Sequence, residues 1–435
     1  MKCASLVVAT LAVSIFSSSA IAQSQEASGA SRPRVVSGAV SRNQQPSQTP
    51  ASQKPATEAV KQSPEPASTT TPATPAQPVE LAGIETEAAD SAKHLSPQAI
   101  RARIAEAERL FKSRPKPAGM VPSIDFVTLA ILDRRTNRIH QLTLSKETFL
   151  TKDAEVNMTT SLGLPVSLRV VRANGVNTAV TVFDSTGYSL MPLLVEFPIE
   201  KRGVFRELAY YTSAHSALMS PELARSGQLY VRTMLDFAAK RLREKGVQVS
   251  PQIVDVAERL CLVEHVDHDR FRLENRSALF QEIYSLFALN QLDTYRYSVS
   301  SAGAGGMVQM IPWAYGLMRQ RHPSVGLMPD FVVGMQTHAN ALQAMLLYMN
   351  DTWSDLSANE EVQYALSGKY ATQTELLAAG YNSNAARLPQ YLRRGGSSWR
   401  TLIPRETQMY LQIYKNFEAL VPIKQRTSTL AKVNK

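Results

Sequence analysis

The amino-acid sequence predicts a protein of the α+β class, in which a small β-rich module precedes a larger, all-helical domain. From about residue 123 to 202, short apolar runs alternate with clusters of turn-forming residues, which is typical of short strands. From residue 220 onward, apolar residues recur every three or four positions behind Ser-Pro pairs that favour helix starts. The first 95 residues fit neither pattern, so the folded part is expected to begin after them.

A secretory signal peptide is predicted over residues 1–22. Met1-Lys2 give a weakly positive start, Leu6–Phe16 is apolar, and Ala20-Ile21-Ala22 is a small-x-small cleavage site. The apolar run is shorter than the roughly 20 residues that a membrane-spanning helix needs. No later stretch is long and apolar enough, so we expect a mature chain without an integral membrane segment, exported to the periplasm or beyond.

Residues 23–95 are rich in Ala, Pro, Ser, Thr and Gln and contain hardly an aromatic residue. Such a segment buries too little apolar surface to offset the entropy lost on ordering, so it is predicted to be a disordered linker. The predicted order is therefore signal peptide (1–22), linker (23–95), a helix with the β-rich module (96–219), the helical domain (220–422) and a basic tail (423–435).

The charge, the cysteine content and the histidine positions limit which partners, disulfides and metal sites the chain can have. Lys and Arg number 47 against 37 Asp and Glu, which gives a formal charge of +10. A basic protein favours polyanions, but export and the lack of a concentrated Lys/Arg run with interleaved aromatic residues argue against nucleic acid. Only Cys261 remains after signal cleavage, which excludes an intramolecular disulfide. No set of residues around His265 or His338 has metal-ligand spacing, so neither a metal nor a cofactor is expected.

The predicted elements follow these patterns along the chain. Ser96-Pro97 starts a helix over residues 98–112, and five strands follow at Phe126–Leu132, Ile139–Leu144, Val166–Val171, Ala179–Phe183 and Leu190–Phe197. Later helices are predicted after Ser220, Ser250 and Pro312 and at residues 277–289, 333–349, 360–366, 375–379 and 406–420. In the helix after Ser220, the predicted core face is Leu229, Val231, Met234, Leu235 and Ala238. No residues of the β-rich module have the spacing of a metal site or of a catalytic nucleophile and its base, so we expect the module to bind or position a protein partner.

Four segments of the helical half carry the strongest functional signal. They are Ser300–Pro312 (SSAGAGGMVQMIP), Asp330–Met349, Leu377–Asn384 (LAAGYNSN) and Ile403–Tyr410 (IPRETQMY). In this order the set resembles the catalytic domain of soluble lytic transglycosylases, the family related to goose-type lysozyme that cleaves peptidoglycan. The first segment is similar to the family's Ser-x-x-Gly-Ala-x-Gly-Leu-Met-Gln-x-x-Pro, with Met307-Val308 where Leu-Met is usual. The resemblance covers about residues 250–420.

This resemblance implies a lysozyme-like fold for the helical domain and peptidoglycan glycan strands as the partner. It implies cleavage of the MurNAc-GlcNAc β-1,4 bond with formation of 1,6-anhydro-MurNAc ends, without a cofactor. One Glu suffices as acid and base in the family, because the substrate's acetamido group assists and its 6-hydroxyl closes the anhydro ring. Asp267 and Asp293 are therefore expected to be dispensable for chemistry. The alternatives are a peptidoglycan hydrolase (muramidase) on the same fold and a non-catalytic cell-wall-binding or scaffold protein.

The catalytic acid is missing from its usual place. Some eighteen residues before Gln309, where the family carries its glutamate, this chain has Gln291. Glu264 is the candidate acid, because it ends an apolar helix whose neighbours would raise the pKa of its carboxyl by desolvation. Glu274, Glu282 or no functional acid at all are the alternatives. With Glu264 as the acid, roughly residues 267–295 form an insertion that is expected to be a lid or wall of the groove.

The resemblance implies that the remaining candidate site residues bind substrate. Ser300 matches a serine that contacts an N-acetyl group, Gln309 an amide that hydrogen-bonds sugar, Tyr381 the phenol beside the acid, and Asn382 its neighbour that pins the loop. Structural alternatives stay open for each: Ser300 as a helix cap, Gln309 as a satisfied core amide, and Tyr381-Asn382 as turn residues. Glu406 is expected to form an ion pair or a helix cap.

Overall fold

The computed structural model describes residues 95–115, 121–215, 218–292 and 303–427. The predicted signal peptide, nearly all of the predicted linker and the end of the basic tail lie outside these residues, as does Ser300. Within them the protein combines helices with a curled antiparallel sheet, which confirms the mixed α+β class.

The elements of the described chain are as follows. The strands are β1 (Phe126–Asp133), β2 (Arg138–Ser145), β3 (Glu155–Thr159), β4 (Pro165–Arg172), β5 (Ala179–Asp184), β6 (Ser189–Lys201) and β7 (Val204–Thr212). The helices are α1 (Pro97–Lys112), α2 (Lys146–Phe149), α3 (Pro221–Glu244), α4 (Pro251–Val263), α5 (His268–Leu273), α6 (Arg276–Leu289), α7 (Pro312–Arg321), α8 (Phe331–Gln336), α9 (His338–Ser357), α10 (Glu360–Ser367), α11 (Gln373–Asn382), α12 (Leu388–Gly395) and α13 (Arg405–Leu420).

All five predicted strands are present, and two further strands, β3 and β7, escaped prediction. β3 alternates between exposed and half-buried residues and contains few of the apolar side chains that mark a strand. The helix predicted over residues 333–349 is two helices, because the chain is extended at Thr337 between α8 and α9. The predicted core face of α3 is wrong at Leu229, which is 65% exposed, because the buried stripe runs through Gly227, Val231 and Leu235 instead.

The strands form one antiparallel sheet in the order β2-β1-β6-β5-β4-β3, with β7 also paired to β6. The sheet curls back on itself beyond β3: the Ser161 backbone NH donates to Gln141 O at 2.9 Å, and His140 Nδ1 lies 2.9 Å from Thr160 Oγ1. The inward-facing residues, such as Leu129, Leu168 and Val182, fill the interior and are fully buried. The predicted β-rich module is thus a small, nearly closed barrel.

The outer face of β1 and β6 is also apolar, because helices cover it. Ala130 and Leu193 pack with α1 and with the ends of α3 and α6 in a second buried cluster. Polar contacts from β4 and β7 also join the sheet to α6: Arg172 Nη2 lies 3.1 Å from Glu282 Oε1, and the Thr212 backbone NH donates to Asn290 Oδ1, at the end of α6, at 3.3 Å. The barrel and the helices therefore share a hydrophobic interface.

The helical half is built around α4 and α9, which are buried along most of their length. α4 begins at Pro251 with Ser250 as its cap, and the Ser250 hydroxyl accepts from Ile253 N at 3.3 Å. The described part of the segment expected to form a lid or wall of the groove contains α5 and α6. α6 lies in the core, where Phe280 packs edge-on against Phe417 with ring centroids 5.1 Å apart.

The chain after α13 is held to α3 and α4 by Arg426. Its guanidinium donates to Asp236 at 2.6 Å and to Asp255 at 2.7 Å, and it also pairs with Glu258, which is 1% exposed. Burial raises the pKa of the Glu258 carboxyl above its ordinary value, and the charges of Arg426 and Arg232 oppose that shift. The first residues of the predicted basic tail thus belong to the folded core.

Arg426→Met is expected to lower the free energy of unfolding by about 3 kcal/mol at pH 7, because it leaves Glu258 buried with only Arg232 as a counter-charge. The deficit should shrink as the pH falls from the raised pKa of Glu258 toward about 4.3, the ordinary pKa of glutamate, because the buried carboxyl then becomes protonated in the folded variant. Urea unfolding at both pH values measures this. Lys424→Met is the matched control, since Lys424 is exposed and forms no ion pair within the described chain; an equal loss in both variants would refute the role of Arg426.

Candidate functional site

The glycine-rich segment forms a tight turn that packs against α8. Gly303 and Gly306 have φ values of +77° and +70°, and the Gly305 backbone NH donates to Met310 O at 3.0 Å across the turn. A Cβ on Gly306 would lie 2.5 Å from the backbone oxygen of Met335. Glycine is therefore required at residue 306 both for the left-handed backbone and for the close approach to α8.

Gln309 lies at the end of this turn in a left-handed conformation, with φ of +47°. Its side chain is half-buried and lines a cleft described below. Its Nε2 donates to Gly306 O at 2.8 Å, so part of the amide stabilises the turn itself. Gln309 thus lines the cleft, as expected for an amide that binds sugar, and also bonds within the turn, as expected for a structural amide.

Glu264 follows the last residue of α4 as its C-cap and is only 9% exposed. Its neighbours Val263 and Val266 are fully buried. The hydroxyl of Tyr410, on α13, donates to Glu264 Oε1 at 2.6 Å, although the two residues are 146 positions apart. A single carboxyl group is therefore held in an apolar setting by a specific phenol.

Tyr381, on α11, connects Glu264 with the glycine turn. Its hydroxyl donates to Val308 O at 2.7 Å, and its ring lies edge-on to Tyr348 at 5.8 Å between centroids. Burial raises the pKa of the Tyr381 phenol well above its ordinary value, and the negative charge of nearby Glu264 raises it further. Tyr381 thus contacts the glycine turn and lies close enough to Glu264 for the charge of that carboxylate to affect its phenol.

Asn382, the next residue, is buried and accepts a hydrogen bond from Thr407 Oγ1 at 2.9 Å. This bond joins the end of α11 to the first turn of α13. The same two helices carry Tyr381 and Tyr410, so Asn382 fixes the relative position of the two phenols. Glu406 lies half-buried in the first turn of α13.

The two alternative acids, Glu274 and Glu282, are both bound to Arg270. The guanidinium donates to Glu274 Oε1 at 2.8 Å and to Glu282 Oε2 at 2.8 Å, and Arg172 adds a second pair to Glu282. Burial alone would raise the pKa of the Glu282 carboxyl, but the bonds and charges of Arg270 and Arg172 outweigh it and leave the pKa below its ordinary value. An ion-paired carboxylate of this kind is a poor proton donor at neutral pH.

His265 contributes to the site in a way that sequence reasoning missed. Its Nε2 lies 3.0 Å from Met307 O, and its ring packs edge-on against Phe287. The residue after the candidate acid therefore contacts the glycine turn directly.

In residues 95–115, 121–215, 218–292 and 303–427, no group of three or more His, Cys, Asp and Glu residues is arranged to hold a metal ion.

A cleft of about 640 Å³ lies between α7, α9 and α11. Gln309, Trp313, Tyr348 and Tyr381 provide its aromatic and amide surface. Glu264 is not part of this lining, whereas Tyr381 lines the cleft and also contacts the glycine turn.

Tyr410 and Thr407 are further site residues that the sequence did not single out. Both lie in the Ile403–Tyr410 segment, so the signal was present in the motif. Their partners, Glu264 and Asn382, lie too far away in sequence for spacing to reveal the contacts.

Two further observations concern membrane-spanning helices and similarity to known proteins. No helix in the described part of the chain combines the length and the apolar character needed to cross a membrane. No family model, curated protein or solved structure matches this chain.

Proposed function

We propose that this protein is a peptidoglycan lytic transglycosylase of the periplasm, with a lysozyme-like helical domain and Glu264 as its single acid and base. The observation that carries the proposal is the convergence of Glu264, Tyr381 and the glycine turn. The sequence places these residues on three separate segments. The resemblance to soluble lytic transglycosylases assigns Tyr381 and the glycine turn to one catalytic centre, for which Glu264 is the candidate acid. His265, next to Glu264, and Tyr381 both contact the glycine turn, and this geometry supports the assignment.

The chemistry follows from one buried carboxyl group. Protonated Glu264 donates its proton to the glycosidic oxygen as the bond to C1 of the MurNAc residue breaks. The acetamido oxygen of the same sugar attacks C1 and stabilises the positive charge there. The 6-hydroxyl then attacks C1 and displaces the acetamido oxygen, its proton passes to the Glu264 carboxylate, and a 1,6-anhydro ring forms without water.

This mechanism needs no second carboxylate, unlike that of most retaining glycosidases. The nearby Asp267 is already used in the fold, because its Oδ1 accepts from the backbone NH groups of Asp269 and Arg270 at the start of α5. Its structural role favours the single-acid mechanism over a two-carboxylate hydrolase.

A non-catalytic glycan-binding protein is the second candidate function. The observation that favours it is the absence of Glu264 from the lining of the cleft. Digestion of purified sacculi, followed by mass spectrometry of the released muropeptides, distinguishes the two. The transglycosylase releases anhydro-muropeptides, whereas a binding protein releases none.

Tyr410→Phe is expected to lower the rate of sacculus digestion by about 10- to 100-fold, because a hydrogen bond to a charged group contributes about 1.5–3 kcal/mol. Turbidity loss of sacculi measures the rate, and the pH–rate profile should shift, because the removed hydroxyl contacts the titrating group. Tyr414→Phe is the matched control, since Tyr414 is a buried tyrosine one turn further along the same helix and no hydrogen bond joins it to Glu264. Equal rates for Tyr410→Phe and the wild type would argue against Tyr410 as a positioning residue.

A further inference from the structure

Trp313 is an exposed aromatic residue at the edge of the cleft. It is the second residue of α7, directly after the glycine turn, and is 67% exposed. The other tryptophans differ: Trp399 is fully buried and donates to Tyr370 O at 3.0 Å, and Trp353 is half-buried against the core. Trp313 therefore contributes little to the folded core, and its exposure requires another explanation.

One face of α7 forms a continuous strip along the cleft. Trp313, Leu317 and Arg321 all line it and recur every four residues, while Ala314 and Met318, which also line the cleft, are buried between them. Eight residues of helical rise correspond to about 12 Å, which is longer than one sugar ring. The far end of the strip is fixed, because Arg321 Nη1 lies 3.4 Å from Asp351 Oδ2 and His322 Nε2 lies 3.0 Å from the same carboxylate.

Trp313 also lines a second depression, of about 500 Å³, together with Gly316, Arg319 and Gln320. The indole therefore stands as a ridge between the cleft and this outer depression. A linear ligand that leaves the cleft on this side passes over the ring.

The chemistry of the walls selects among ligands. Arg321 offsets the charge of Asp351, but Asp355, one turn further along α9, would repel the phosphates of a nucleic acid or an anionic lipid, and both carboxylates would be costly to bury under an aliphatic chain. Neutral sugar rings suit the site, since their C–H faces pack on an indole while their hydroxyl and acetamido groups bond to carboxylates and to amides such as Asn384.

We propose that Trp313 is a stacking platform for a sugar ring of the glycan strand, one position beyond the rings held in the cleft, and that it makes binding depend on chain length. This inference rests on the proposed function and adds a subsite to it. The indole holds the strand as it continues past the catalytic centre.

The test uses the chain with Glu264→Gln, which leaves the ligand uncleaved, and β-1,4-linked N-acetylglucosamine oligomers of two to six residues as probes. Calorimetry gives the affinity, and tryptophan fluorescence reports the stacking directly. Affinity is expected to rise with length. Adding Trp313→Ala should lower the affinity for the longest oligomer roughly tenfold and leave that for the dimer unchanged. Trp313→Phe should restore most of the loss.

Tyr364→Ala is the control, because Tyr364 is 70% exposed on α10 but lies outside the cleft lining. Unchanged affinity of the Trp313→Ala protein for every oligomer would overturn the platform and leave the transglycosylase proposal standing, since that proposal depends on cleavage. A parent protein that binds no oligomer also overturns the platform. The proposed function fails separately, if wild-type protein leaves sacculi uncleaved.

Discussion

Glu264→Gln is expected to lower the rate of glycan cleavage by about a thousandfold, because the amide keeps the shape of the side chain but can neither donate nor accept the transferred proton. The fold should be retained, since Tyr410 can donate its hydrogen bond to the amide oxygen. Release of soluble muropeptides from sacculi measures the rate, and circular dichroism checks the fold.

The matched control for this prediction is Glu274→Gln. Glu274 was a candidate acid, but its side chain is 45% exposed and pairs with Arg270 four residues earlier, so its loss should leave the rate unchanged. Loss of activity in Glu274→Gln, or retained activity in Glu264→Gln, would show that the acid is misassigned.

Gly227→Ala is expected to lower the free energy of unfolding by about 3 kcal/mol or more. The added Cβ would lie 1.8 Å from the backbone oxygen of Tyr284, where α3 crosses α6. Backbone atoms of two packed helices cannot move apart locally, so the whole contact must open. Urea unfolding measures the change.

Gly316→Ala provides the control for this substitution. Gly316 lies within α7, and a Cβ there meets no atom within 4 Å. Because alanine is the better helix former, the variant should be more stable by up to about 1 kcal/mol. A loss of equal size in both variants would mean that close packing at Gly227 is not the cause.

The parts of the fold that depend on local chemistry were predictable. Ser96, Ser220 and Ser250 each precede a proline, and each hydroxyl accepts from the backbone NH three residues on. Both the cap and the fixed φ of proline act within one helical turn, so a short stretch of sequence determines the helix start.

Contacts between distant segments were not predictable in the same way. The buried stripe of α3 depends on the position of α6, so periodicity alone wrongly assigned exposed Leu229 to the core. The helix over residues 277–289 was predicted from its apolar pattern, but its packing against α3 and Phe417, which places it in the core, depends on distant segments.

The candidate site shows the same division. The motif segments pointed to Gln309, Tyr381 and Asn382. Gln309 and Tyr381 line the cleft, and Asn382 joins α11 to α13 through its bond with Thr407. The bond between Tyr410 and Glu264 spans 146 residues, and no local signal reveals which carboxylate the phenol meets. Ser300 lies outside the described residues, and its role stays a prediction.

The most direct test of the central claim is the mass of the new glycan ends that the wild-type protein makes from sacculi in water enriched in oxygen-18. A single acid that returns as base to the 6-hydroxyl excludes water from the reaction. The account therefore predicts 1,6-anhydro ends that contain no oxygen-18 and disappear with Glu264→Gln. Reducing ends that carry the heavy oxygen would contradict it and identify a hydrolase.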